Sequence, residues 1–241
     1  MATPTRFRIF SFVRIASLAF VALASTTLAL SEQYALAGRT IELPLPQGYC
    51  KIGETPGEQK FIELTAKGTG PSSKILAVFL KCEEVAKWRK HAPSESVGAS
   101  DYLVSAVMLD RDGQLRPIEG ASRKEFVRLL GGAVSKDPNI FSRTTAEAQA
   151  TLNNLVSGAD FKIVSAQVLK ADDDALYFVF GSEIRADNGE NRRVIGITAN
   201  TLIKGMRIVY ANYRQVRQPQ DGNALFANTS AMVHAAVQAN P

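Results

Sequence analysis

The chain has 241 residues, is 46% hydrophobic and 21% charged, and holds no Pro- or Gly-dominated tract, which describes one ordinary globular domain with an additional segment. Its net charge of +5 falls to +3 once the first 37 residues are set aside, because Arg6, Arg8 and Arg14 leave together with Glu32. A charge that small excludes the strongly basic classes that hold nucleic acid or anionic membrane as a partner by charge alone.

The additional segment comes first. Residues 1–37 open with Arg6 and Arg8, run through an apolar stretch from Ile15 to Leu30, and reach Ala35-Leu36-Ala37 before Gly38. This is the order of a secretory signal peptide, with a basic start, an apolar middle and small residues before a cleavage site, and it predicts a cut after Ala37. The apolar stretch is shorter than the roughly 20 residues that span a bilayer, so no stable membrane span is expected after cleavage; retention of the segment as an anchor is the alternative. There is no twin-Arg pair and no cysteine placed for lipid attachment. The expectation is Sec-type export to the periplasm or beyond, with residues 38–241 as a single domain.

Two cysteines remain, Cys50 and Cys82, an even number in an oxidising compartment. A disulfide would close a loop of about 32 residues and contribute roughly 3–4 kcal/mol. The other reading is a pair of reduced, buried thiols.

Arg39 to Leu45 reads as an opening strand, stopped by Pro44 and Pro46. Thr55-Pro56-Gly57-Glu58 is a capping box with Pro at the first helical position, opening a helix that stops near Gly68. Two continuous apolar runs, Ile75 to Leu80 and Tyr102 to Leu109, suit central strands covered on both faces, with a short helix from Glu83 to Lys90 between them. Ser122 with Glu125 opens a helix whose buried stripe is read as Phe126, Leu129, Leu130 and Ala133. Thr144 with Glu147 opens another, carrying Ala148, Leu152, Leu155 and Val156 inward and ending at Gly158.

After residue 160 come four strand-like segments, 161–169, 176–185, 193–202 and 206–216, parted by short polar turns at Asp172-Asp173-Asp174, Asn188-Gly189 and Lys204-Gly205. Such spacing leaves no room for crossover helices, so the four form an antiparallel meander. Gly222 to Ala239 follows as a closing helix with Leu225, Thr229, Met232 and Ala236 on its apolar face. The fold class is therefore α+β: a mainly antiparallel sheet of six or seven strands, packed with helices and closed by a C-terminal helix.

Leu45-Pro46-Gln47-Gly48-Tyr49-Cys50, Lys81-Cys82-Glu83-Glu84 and Trp88-Arg89 resemble a group of exported proteobacterial proteins of uncharacterised function. The meander with its terminal helix is also similar in layout to the PsbP/Mog1-like α/β/α sandwich. That resemblance implies an accessory or binding protein and supplies no catalytic motif.

The search for chemistry agrees. No Gly-x-Ser-x-Gly elbow occurs, and only His91 and His234 are available as histidine ligands, without His-Glu-x-x-His. Gly68-Thr69-Gly70-Pro71 is no phosphate cradle, because Pro71 removes a donor where one is needed. Asp110-Arg111-Asp112-Gly113 starts like a calcium loop, but Gly113 comes too early and Leu115 stands where oxygen is wanted. The triplet Asp172-Asp173-Asp174 reads as a solvated hairpin tip, with weak calcium binding as the functional alternative. Trp88 beside Arg89 is either a ligand shelf or core packing near the bridge. If Tyr210 faces inward, Tyr213 should face outward, and Tyr177 lies in the same meander. Neither a metal nor another cofactor is expected. Two functions stay in view: an exported binding or accessory protein acting on an unknown protein or small-molecule ligand, or a hydrolase-like enzyme using dispersed carboxylates such as Asp110, Asp112 and Glu183.

Overall fold

Strands that are apolar on successive residues need cover on both faces, and the sheet assembled from them has it. The computed structural model describes residues 31–90, 101–137, 139–155, 159–187 and 189–241. In chain order its elements are β1 (Ser31–Leu36), β2 (Arg39–Pro44), β3 (Tyr49–Lys51), α1 (Pro56–Thr69), β4 (Ser73–Lys81), α2 (Cys82–Lys90), β5 (Asp101–Met108), α3 (Arg123–Lys136), α4 (Ile140–Leu155), β6 (Ala159–Ala171), β7 (Ala175–Ala186), β8 (Asn191–Ile203), β9 (Met206–Gln215) and α5 (Asp221–Ala239). The α+β class and the antiparallel meander are as the sequence predicts. The seven-stranded sheet runs β3-β4-β5-β9-β8-β7-β6, and every neighbouring pair is antiparallel.

The expected turn at Lys204-Gly205 has positive φ at both residues, 46° and 75°, as a type I′ hairpin requires. Asn188 of the Asn188-Gly189 turn lies outside the described residues, as do Val156, Gly158 and His91. A second hairpin is less expected. Strand β1 occupies residues read as the end of the leader and pairs with β2 from Ser31↔Pro44 to Leu36↔Arg39, forming a separate two-stranded ribbon. The opening strand thus joins β1 instead of the main sheet. Residues 1–30 of the expected leader lie outside the described residues.

The ribbon and α5 cover one face of the sheet. Leu36, Ile41 and Leu43 join Leu103, Val107, Tyr177, Ile203, Ile208, Tyr210 and Val233 in the largest buried cluster. On α5, Leu225, Thr229, Met232 and Ala236 are buried as the stripe predicts, and Val233 with them. Asn240 fastens the helix end to the ribbon, accepting from Glu42 N–H and donating to Glu42 C=O.

The four other helices lie on the opposite face. The Thr55 capping box closes in both directions and α1 ends at Gly70, whose φ is +78°. In α3, Ser122 accepts from Glu125 N–H, but the buried stripe is turned from the expected one: Val127 and Val134 are buried while Leu129 is 54% exposed. Val127 and Val134 lie seven residues apart, two helical turns, so the sheet selects a face centred on them. Helix α4 starts at Ile140, not Thr144, so Thr144 sits inside it and caps nothing. Its start instead follows Asp137, which accepts from Asn139 N–H and pairs with Arg143 at 2.8 Å. Ala148, Leu152 and Leu155 are only half-buried, because α4 lies over the edge strand β6.

Cys50 and Cys82 form the disulfide, tying β3 to the start of α2. Beside it an aromatic row crosses the sheet: Trp88 on Phe61, Phe61 on Tyr102, Tyr102 stacked on Tyr213 with centroids 4.5 Å apart, and Tyr213 on Phe180. Strand β8 gives this row room at Gly196, where any Cβ would strike the Phe180 ring.

Candidate functional site

Of the acids singled out in the sequence, Asp110 and Asp112 meet on one guanidinium and Glu183 lies apart from them. Asp110 and Asp112 share the Arg116 guanidinium, at 3.0 and 3.6 Å. Asp110 also accepts the N–H groups of Gln114 and Asp112, which with Arg116 hold its carboxyl below the usual range. Glu183 lies at the far end of the sheet, 3.6 Å from Arg193. Val107, just before Asp110, pairs with Ile208 at the start of β9, whereas Arg193 adjoins the β9 end at Gln215. At about 3.3 Å per residue that separates the two sites by at least roughly 20 Å, far beyond the distance at which two carboxyls share a substrate bond.

The aspartate triplet anchors a turn. Asp172 accepts the N–H groups of Asp174 and Ala175, as an Asx turn does. Asp173 pairs with Lys124 at 3.0 Å, and Asp174 with Arg123 at 3.1 Å and with His234 at 3.5 Å. Arg123 and Lys124 of α3 and His234 of α5 therefore already occupy the Asp173 and Asp174 carboxylates. Among the described residues no group of three His, Cys, Asp or Glu side chains is placed to hold a metal ion.

Trp88 and Arg89 are absorbed into packing. Arg89 Nε bonds Glu58 Oε1 at 2.8 Å, and its Nη1 lies 3.0 Å from Glu54. Glu58 is 1% exposed and accepts the N–H groups of Gly53 and Glu54, both at 2.8 Å. Burial alone would raise its pKa, but the Arg89 bond and these N–H groups outweigh burial and hold it at about 2. Tyr210 and Tyr213 do take opposite faces, yet both faces are covered, so Tyr213 is half-buried against Tyr102 and Phe180. Burial raises the Tyr213 hydroxyl to about 12.

Beneath the ribbon, β9 carries a polar strip the sequence did not reveal. Asn212 is 0% exposed, and neither end of its amide has a partner among the described residues. The Tyr210 hydroxyl is likewise buried and unpartnered, and beyond Asn212 lies the Asp101–Arg214 pair at 3.2 Å.

A concavity lies elsewhere. Strand β3 ends at Lys51, opposite Phe79, so among the described residues β4 from Ser73 to Ala77 has no strand on its outer side. Along that edge runs an open groove of about 840 Å³, lined by Ile62 and Ala66 of α1, Ser73, Lys74 and Ile75 of β4, and the turn from Leu109 to Leu115. Ala37, at the tip of the ribbon, closes one end. The Ser73 hydroxyl is buried there without a partner. The volume falls within the range of small-ligand sites, and the open lining mixes the apolar Ile62, Ala66, Ile75 and Leu115 with the polar Ser73, Lys74 and Gln114. The sequence signal for it is Leu115, an apolar residue that ends the polar run Asp110 to Gln114.

No family model and no curated protein matches the sequence. Among solved structures the chain is similar to cyanobacterial PsbP from Synechocystis sp. PCC 6803, at 13% identity over 88% of this chain and 96% of that one, with a TM-score of 0.34. It is similar to a point mutant of the protein Mog1 at 11% identity over 87% of this chain and 90% of that one, TM-score 0.27. The Saccharomyces cerevisiae Ran-binding protein Mog1p gives 10% identity, 88% and 90% coverage and a TM-score of 0.27. The likeness is one of layout.

Proposed function

We propose that this chain is an exported, periplasmic binding or accessory protein that holds a small, largely apolar ligand or side chain in the groove beside β4. The observation that carries the reading is the groove itself: an open concavity of about 840 Å³ whose walls of mixed polarity come from a helix, a strand and a turn of the scaffold. The Cys50–Cys82 disulfide supports an oxidising compartment. No helix among the described residues is long and apolar enough to cross a membrane. Glu183 lies far from Asp110 and Asp112, and the two aspartates are already paired with Arg116, which favours the binding reading over a hydrolytic one.

The test is a thermal shift with extracts of the envelope fraction. A ligand present at a hundred times its dissociation constant stabilises the folded state by about 2.7 kcal/mol and raises Tm accordingly. Wild type should shift, and Ala66→Trp, which fills the groove from its half-buried helix wall, should not. Equal shifts in both proteins would place binding outside the groove.

A further inference from the structure

The sequence before Gly38 contains two Ala-x-Ala triplets, Ala22-Leu23-Ala24 and Ala35-Leu36-Ala37, and either satisfies the small-residue rule for leader cleavage. The fold discriminates between them. A cut after Ala37 would remove the whole of β1, and β1 is built into the domain. Leu36 is 3% exposed, inside the largest core cluster, and Tyr34 packs against the same cluster. Glu32 accepts from Tyr34 and from Lys51 of the main sheet, the latter at 2.6 Å, and Ser31 bonds Glu42 across the ribbon. All six residues of β1 are paired with β2, which would otherwise be left with a bare edge over the sheet.

The second triplet also ends in the turn of the ribbon, with Ala37 and Gly38 at φ +49° and +79°. The residues that follow are fastened in place: Arg39 bonds the Lys204 carbonyl and Glu119, and Lys204 Nζ bonds Thr40 C=O at 3.2 Å. A turn held this way joins two strands of one hairpin. Cutting it would also take Ala37 from the end of the groove.

We infer that the leader is removed after Ala24, so that the mature protein begins at Ser25 and keeps β1. The inference rests on the export reading above and replaces the cut after Ala37 that the sequence suggested. Arg6, Arg8 and Arg14 still leave with the leader, and the apolar run from Ile15 to Val21 stands directly before the triplet.

The test is the intact mass and N-terminal sequence of the protein recovered from the envelope fraction of cells making the full chain. A start at Ser25 is expected. Ala24→Leu should accumulate precursor, whereas Ala37→Leu should be processed like wild type. A start at Gly38, or precursor accumulating only with Ala37→Leu, overturns the inference and leaves export standing. An uncut chain confined to the cytoplasm overturns the export reading itself.

Discussion

Glu58 shows how a residue's role is set by burial more than by type. The capping box named it as the partner of Thr55 N–H, but not that its carboxylate would be buried against Gly53, Glu54 and Arg89. Nothing in the spacing of residues 58 and 89 announces that contact, because it depends on how α2 docks beside α1. A carboxyl held at about 2 in the folded chain, against an ordinary 4.5, favours folding above its ordinary value and loses that effect as pH falls through the folded one. Glu58→Gln should therefore cost about 2–3 kcal/mol at neutral pH in urea unfolding, and the gap to wild type should close between about pH 4.5 and 2. A gap that does not change with pH would contradict this role. Asn212 presents the opposite case, a buried amide with neither end paired among the described residues. Replacing it by Leu should raise stability by about 1 kcal/mol, since an unpaired polar group is exchanged for an apolar one with the same branching at Cγ. Destabilisation by as much would mean that the amide is satisfied in solution.

Elements with explicit local signals were legible, and elements defined by their partners were not. Thr55, Ser122 and Lys204-Gly205 marked their boundaries through capping and turn chemistry. Strand β1 was hidden because the Ala35-Leu36-Ala37 triplet at its end satisfies the small-residue rule for leader cleavage whether or not the strand pairs afterwards. The α4 start was misplaced for a related reason: Thr144 and Glu147 have the box spacing, but Phe141 and Ile140 pack into the cluster around Leu176 and carry the helix past it. Helix α4 also guards the sheet edge. Asn153 accepts from Phe161 N–H at 2.7 Å and donates to its C=O, and Gln149 accepts from Ile163 N–H at 3.0 Å. Side-chain amides four residues apart on the helix thus occupy outward groups of β6. Asn153→Ala should speed amide exchange at Phe161 and Ile163 while Tyr177 and Ile197 stay protected, and should make association concentration-dependent. Unchanged exchange at Phe161 would show that α4 does not guard this edge.

For the molecule as a whole, the class, the meander and the closing helix followed from periodicity because they are local patterns repeated four times. The groove did not, because it forms where β3 stops short and α1 crosses an unpaired edge, a consequence of strand lengths that no single segment records. The disulfide holds that arrangement, and its reduction should lower stability by about 3 kcal/mol. Binding in the groove is tested most directly by native mass spectrometry of the protein recovered from its envelope fraction, with Ala66→Trp beside it. Wild type should carry an added mass that leaves on denaturation, and Ala66→Trp should arrive bare and equally folded. Wild type without added mass, or the same added mass on both proteins, would contradict a groove that binds.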